Sequence, residues 1–119
     1  MYGDSLLDYL NKTGAMSEEN ARVIMRRLLK AIKIMHDRGI THRDIKIDNL
    51  MFQHVNNLLE SICFIDFGTS RFMGMNHMAS SCEGTSIYSC PQTVNNYQEN
   101  PYDSTKADVW TLGSVLFIL

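Results

Sequence analysis

Cysteine is scarce in this sequence, and what there is does not pair. Cys63, Cys82 and Cys90 are odd in number and none stands in a C-x-x-C spacing. That argues against a disulfide framework or a structural zinc site and fits a reducing compartment. Charge of one sign is missing too. Eleven basic residues against 13 acidic ones leave a net charge of -2, so there is no basic field for nucleic acid or anionic lipid. Long hydrophobic runs are absent: the strongest, Val109 to Leu119, is too short for a bilayer, which takes about 20 residues. The opening "MYGDSLLDYL" has no basic stretch followed by an apolar one, which speaks against a secretory signal. Repeats and low-complexity segments do not occur. With secretion, membrane and nucleic acid set aside, a cytoplasmic or nuclear location is the expectation. What is present, 45% hydrophobic and 20% charged residues over 119 positions, suits a single globular unit with a modest core.

The pattern predicts an α+β chain, mainly α. "SLLDYLNKTG" reads as a short helix, with Ser5 or Asp4 as its cap and Gly14 past its end. "SEENARVIMRRLLKAIKIMHDRG" is the clearest element, from the cap Ser17 to the stop at Gly39. Its apolar positions are Ala21, Ile24, Met25, Leu28, Ile32 and Met35. Arg22, Arg26, Lys30 and Lys33 share the opposite face, which is either a solvated surface or a docking surface. Two short antiparallel strands are expected at Leu50–Gln53 and Ile62–Ile65. From Gly68 to about Asn100 the chain lacks sustained periodicity and reads as a functional loop or as disorder. "STKADVWTLGSVLFIL" shows a cap pattern from Thr105 to Asp108 and then turns apolar on every side, as a core helix does, although no partner for its end is apparent.

Three motifs carry the chemistry: "HRDIKIDN" at 42 to 49, "DFG" at 66 to 68 and "GTSIYSCPQ" at 84 to 92. In this order, with a strand pair between the first two, they resemble the catalytic half of a eukaryotic-type serine/threonine protein kinase, over about Gly3 to Leu119. The resemblance implies a partial kinase domain spanning 1–119. It would run from the hinge end and first lower-lobe helix through the catalytic loop and activation segment to the buried helix. It also implies ATP and Mg²⁺ as cofactors and a protein Ser/Thr hydroxyl as substrate. Asp44 would orient or accept the hydroxyl proton, and Lys46 would steady charge on the γ-phosphate. Asn49 and Asp66 would hold Mg²⁺ through hard oxygen ligands. Gly68 lets the backbone turn after that aspartate. Met51 would floor the adenine ring or be an ordinary core methionine. Ser5 aligns where many relatives carry a ribose-binding glutamate. His42 and Phe67 match an internal stacked column. Asp108 is a cap residue on pattern alone and an anchor for the catalytic loop by resemblance, with Trp110 and Gly113 completing its motif. His36, His54 and His77 have no ligand-like spacing and are assigned no chemistry.

In the activation segment the resemblance singles out Arg43, Ser81 and Thr85. Arg43 would read a phosphate placed on Ser81 by an upstream activating kinase, and Thr85 would bond Asp44 and Lys46. The plainer reading leaves Ser80 and Ser81 as solvated loop serines. Two departures stand out. No G-x-G-x-x-G loop, V-A-I-K-like strand or following glutamate-bearing helix occurs in the sequence, so the ATP-covering lobe is expected to be absent. Gln92 stands in "CPQ" where the family usually has the glutamate of A-P-E. A catalytically dead, kinase-like binding module is therefore the rival to the transferase reading. "GDSLLDYL" and "YDSTKADVWTLGSVLFIL" look most like the calmodulin-dependent and AMP-activated group.

Overall fold

The structure is a computed structural model that describes residues 3–54, 56–76, 78–80, 86–95 and 101–119. Helix α1 (Leu6–Thr13) begins with a reciprocal cap. Ser5 Oγ accepts the Asp8 amide at 3.0 Å, and the Asp8 carboxylate accepts the Ser5 amide at 3.2 Å and its hydroxyl at 2.6 Å. This arrangement satisfies two amides that a helix start leaves open. The helix stops at Gly14, whose φ of 77° belongs to the left-handed region.

Helix α2 (Glu18–Asp37) starts at Ser17, which accepts the Asn20 amide. It buries Ala21, Ile24, Met25, Leu28 and Ile32, the stripe expected from its periodicity. The four basic residues of its other face are exposed. Two of them pair one turn away: Arg22 with Glu18 and Lys33 with Asp37, both at 2.6 Å. Such exposed pairs are worth only about 0.3–0.5 kcal/mol each, so the buried stripe holds the helix.

Beyond α2 the chain forms three two-stranded antiparallel ladders among the described residues. Strand β1 (Ile40–Thr41) pairs with β4 (Arg71–Phe72), β2 (Leu50–Phe52) with β3 (Ile62–Phe64), and β5 (Met78–Ala79) with β6 (Tyr102–Asp103). The β2–β3 pair is the one read from the sequence, one residue shorter at each C-terminal end. Its turn is held by Ser61, whose Oγ accepts the amides of Gln53 and His54 and donates to Leu58 O at 2.7 Å.

The stretch expected to be irregular from Gly68 to Asn100 carries β4, β5, a single turn at Ser86–Tyr88 and helix α3 (Pro91–Asn95). Elements of two to five residues are too short to show a sustained period, and the partners of the strands lie far away in sequence.

Helix α4 (Ser104–Ile118) corrects two expectations. Its cap is Asp103, whose Oδ1 accepts the Thr105 amide at 3.0 Å and the Thr105 hydroxyl at 2.6 Å. The Thr105 hydroxyl thus becomes a donor to the true cap, and Asp108 is freed for an inward role. Nor is the helix buried all round. Ser104, Asp108, Leu112 and Val115 face the core, whereas Trp110 is 52% and Phe117 93% exposed.

One core joins these pieces. Leu6, the α2 stripe, Ile45, Ile47, Leu50, Phe52, Ile62, Phe64, Leu112 and Val115 belong to a single buried cluster. The loop between β1 and β2 is therefore pinned by Ile45 and Ile47 on alternate sides of its polar residues.

Candidate active site

The loop 42–49 is shaped by a contact from the far end of the chain. Asp108, 2% exposed, accepts the His42 amide at 3.0 Å and the Arg43 amide at 2.9 Å. Arg43 has φ 72°, a left-handed conformation that a long side chain seldom takes. Conformations of this kind cost on the order of 1–3 kcal/mol and persist where surroundings hold them. The two amide bonds to a buried carboxylate supply that hold. The only other non-glycine residue with positive φ among those described is Asp66, at 56°. Both strained positions fall in the motifs read from the sequence.

His42 links them. Its ring is fully buried and stands 3.3 Å by Nε2 from Ile65 O, while Nδ1 lies 3.3 Å from the Asp44 amide. The carbonyl only accepts and the amide only donates, so the ring carries its hydrogen on Nε2 and is neutral. Burial pushes its pKa below the ordinary histidine value, partly offset by Asp108. Phe64 and Phe67 pack on the ring at centroid distances of 5.3 and 5.2 Å, and Phe67 keeps 52% of its surface exposed. The hydroxyls of Thr69 and Ser70 donate to His42 O at 3.2 and 3.3 Å, which ties the segment after Gly68 to the same residue.

The chemistry-bearing side chains converge from this frame. Asn49 Nδ2 donates to Asp44 O at 2.9 Å and to Asp44 Oδ2 at 3.1 Å. Lys46 Nζ is 3.6 Å from the same Oδ2, with both side chains mostly shielded from solvent. Asn49 is itself buried and immediately precedes β2, and the Ile65 amide donates to Asn49 O at 2.9 Å. The β2–β3 register thus sets Asn49 beside the residue that precedes Asp66. Asp66 is exposed, and its Oδ1 accepts the Gly68 amide at 3.1 Å.

These donors suit magnesium. Asn49 commits its amide nitrogen to Asp44, which leaves Oδ1 as its remaining acceptor, and Asp66 adds a carboxylate. Magnesium takes one or two such protein oxygens and fills its other positions from water and phosphates. No cluster of three or more His, Cys, Asp or Glu able to hold a metal occurs among the described residues.

The remaining residues singled out from the sequence fall in three places. Met51 is half-buried on β2, opposite Cys63, and bridges to Ser5 across the backbone. The chain there lies so close that a Cβ on Gly3 would stand 2.2 Å from Phe52 O. Ser5 is thereby brought beside Met51, but its hydroxyl is committed to the α1 cap. Arg43 is half-buried next to Asp44, along a cleft shared with Tyr88, Cys90, Thr93 and Asp108. Ser81 and Thr85 lie outside the described residues.

Sequence reasoning passed over His36, whose Nε2 is 2.8 Å from Asp108 Oδ2. The signal was its position: four residues after buried Ile32, it continues the core-facing stripe.

A shielded acid, Asp44, thus meets a lysine and an asparagine, and a second acid, Asp66, stands at the end of the adjoining hairpin. The family model for the protein kinase domain matches residues 1–119. Sperm motility kinase 3A of Mus musculus is 35% identical over 117 residues, covering 98% of this chain and 22% of its own length. Sperm motility kinase 2B of Mus musculus is 34% identical over 117 residues, with 98% and 23% covered. A Dictyostelium discoideum protein, "Probable serine/threonine-protein kinase fhkD", is 31% identical over 125 residues, with 98% and 17% covered. The chain belongs to the protein kinase domain family, and it spans about a fifth of the length of these curated relatives.

Proposed function

We propose that this chain is the substrate-side, lower-lobe part of a serine/threonine protein kinase, which moves the γ-phosphate of ATP to a protein hydroxyl. The observation that carries this reading is the triangle at Asp44, whose Oδ2 meets both Lys46 and Asn49. In it Asp44 takes the proton of a serine or threonine hydroxyl as that oxygen bonds to the γ-phosphorus and the bond to ADP breaks. Lys46 balances the charge that gathers on the transferred group. Asn49 and Asp66 would hold Mg²⁺, which when bound would supply neutralisation of phosphate charge. Met51 on the half-buried β2 offers an apolar floor for the adenine. A ribose contact from Ser5 competes with its cap and rests on the resemblance alone.

Lys46 follows Asp44 at the spacing that resembles serine/threonine rather than tyrosine enzymes, and one reported relative carries a serine/threonine-protein kinase description. Placement in the calmodulin-dependent and AMP-activated group rests on the α1 and α4 sequences. Arg43 beside Asp44 supports an activation step in which an upstream kinase phosphorylates Ser81.

A second reading is a kinase-like module that binds without turnover, and the departure that points to it is Gln92, which stands where the family usually has the glutamate of A-P-E. A chimera separates the two. This chain joined behind the nucleotide-covering lobe of a relative should phosphorylate a generic protein substrate with Mg-ATP. A chimera that folds and binds Mg-ATP yet transfers nothing supports the binding module.

A further inference from the structure

Methionine is crowded into one place. Three of the eight methionines, Met73, Met75 and Met78, fall within six residues beyond the DFG stretch, and the proposed function uses none of them. Their surroundings differ. Met75 stands on a turn and is 88% exposed, and Met78 is 43% exposed, whereas Met25 in the core keeps 9%. A thioether open to solvent is the one that oxidants reach.

Met78 also sits where a change of polarity matters. It opens β5, and the register sets it directly opposite Asp103 of β6, with Ala79 opposite Tyr102. Directly opposed residues share a face of the ladder, with Cβ atoms about 4.5–5.5 Å apart. Asp103 is the cap of α4, and its Oδ1 accepts the Thr105 amide and hydroxyl. The ladder is two pairs long, and no third strand flanks it among the described residues. It ties the segment after DFG to the start of α4, and so short a ladder is open to release by one altered side chain.

We propose that Met78 is a peroxide-sensitive modification site, whose conversion to the sulfoxide unfastens β5 from β6 in the segment that leads to Ser81. The sulfur gives an electron pair to one peroxide oxygen, so that an S–O bond forms as the O–O bond breaks. The departing hydroxide takes up the proton left on the transferred oxygen. Sulfur loses two electrons, and hydrogen peroxide is reduced to water. The product sets an S=O acceptor beside the Asp103 carboxylate, itself an acceptor, and replaces an apolar neighbour by a polar one. Met75 lies in no ladder, so its oxidation leaves the pairing in place. That the released segment governs phosphoryl transfer rests on the kinase reading above; the ladder does not.

The test treats the full chain with hydrogen peroxide, without nucleotide. Dithiothreitol follows, so that disulfides and sulfenic acids of Cys63, Cys82 and Cys90 return to thiols. Mass spectrometry reads sulfoxide at each methionine, and peptide-level amide exchange reads the two strands. Met75 should oxidise first, Met78 next and Met25 last. As Met78 fills with sulfoxide, exchange at 78–79 and 102–103 should rise about threefold, the scale of one cross-strand pair lost. Methionine sulfoxide reductase should reverse the rise. Met78→Leu keeps the apolar bulk without the sulfur and should show no rise, whereas Met75→Leu should respond as the parent does. Met78→Gln, polar without any oxidant, should show the rise from the start.

Sulfoxide forming at Met78 no faster than at Met25 overturns the proposal. So does unchanged exchange in the oxidised parent, or a Met78→Leu chain that responds like the parent. If the variants fail to fold, the parent's time course decides, and exchange that tracks Met75 instead of Met78 overturns it. Because exchange is read without ATP, a chimera that fails to transfer phosphate leaves this result untouched.

Discussion

Replacing Asp108 by alanine should nearly abolish the fold around the catalytic loop. The carboxylate is 2% exposed and is the acceptor for the His42 and Arg43 amides and for His36. Each buried amide left without a partner costs about 1–3 kcal/mol. Two of them give roughly 2–6 kcal/mol before the strain at Arg43 is released, and release returns on the order of 1 kcal/mol. The net loss expected is about 1–5 kcal/mol, against a total stability of about 5–15 kcal/mol for ordinary domains. Asp108→Asn keeps one acceptor oxygen and should lose about half as much. Trp110 is the only tryptophan, and it stands two residues from the mutation, so its fluorescence reports the site directly. Urea unfolding should be followed at low micromolar concentration, with light scattering to exclude association through exposed Phe117 and Leu116. A midpoint for Asp108→Ala corresponding to less than about 1 kcal/mol of loss, with unchanged slope, would refute the clamp.

Three further outcomes are expected. His42 has a folded pKa below its unfolded one because burial disfavours the charged ring, so its share of stability is full above about pH 6.5 and fades as pH falls through the folded value. Urea midpoints should drop on acidification from pH 7 to 5, and a profile for His42→Asn equally steep would assign the drop to other groups. Gly3→Ala forces a Cβ against Phe52 O and should destabilise by about 1–3 kcal/mol, seen as lost protection of the Phe52 amide that donates to Asp4 O. In the chimera, Ser81→Ala should block activation by an upstream kinase, and full activation of that variant would place the switch elsewhere.

The long periodic helix and the hairpin were legible because their signals are local. A stripe from Ala21 to Ile32 and a Ser17 cap need no knowledge of distant residues. The HRD and DFG stretches were legible as motifs, and the structure gives both their predicted surroundings, a loop after a helix and the end of a hairpin. The strand pairs β1–β4 and β5–β6 were not legible, since two-residue strands are too short to show a repeating pattern and their partners lie 23 or more residues away. Asp108 illustrates the same limit at one residue. Its position near a helix start suggests a cap, and only the packing of α4 against the catalytic loop turns it into an anchor. The exposed face of α4 was misread because a helix apolar on every side looks buried whichever of its faces has a partner.

The central claim is that Asp44 and Asp66 do different work, one on the substrate hydroxyl and the other on the metal-bound nucleotide. The direct measurement compares Asp44→Asn and Asp66→Asn in the active chimera, with turnover and Mg-ATP affinity determined for each. Asp44→Asn should lose turnover by about 10²–10⁴-fold, the usual contribution of a positioned base, with affinity nearly unchanged. Asp66→Asn should weaken Mg-ATP binding itself, and added Mg²⁺ should restore part of it. Equal affinities for Mg-ATP in the two variants, or an Asp44→Asn chimera that turns over like its parent, would contradict the account.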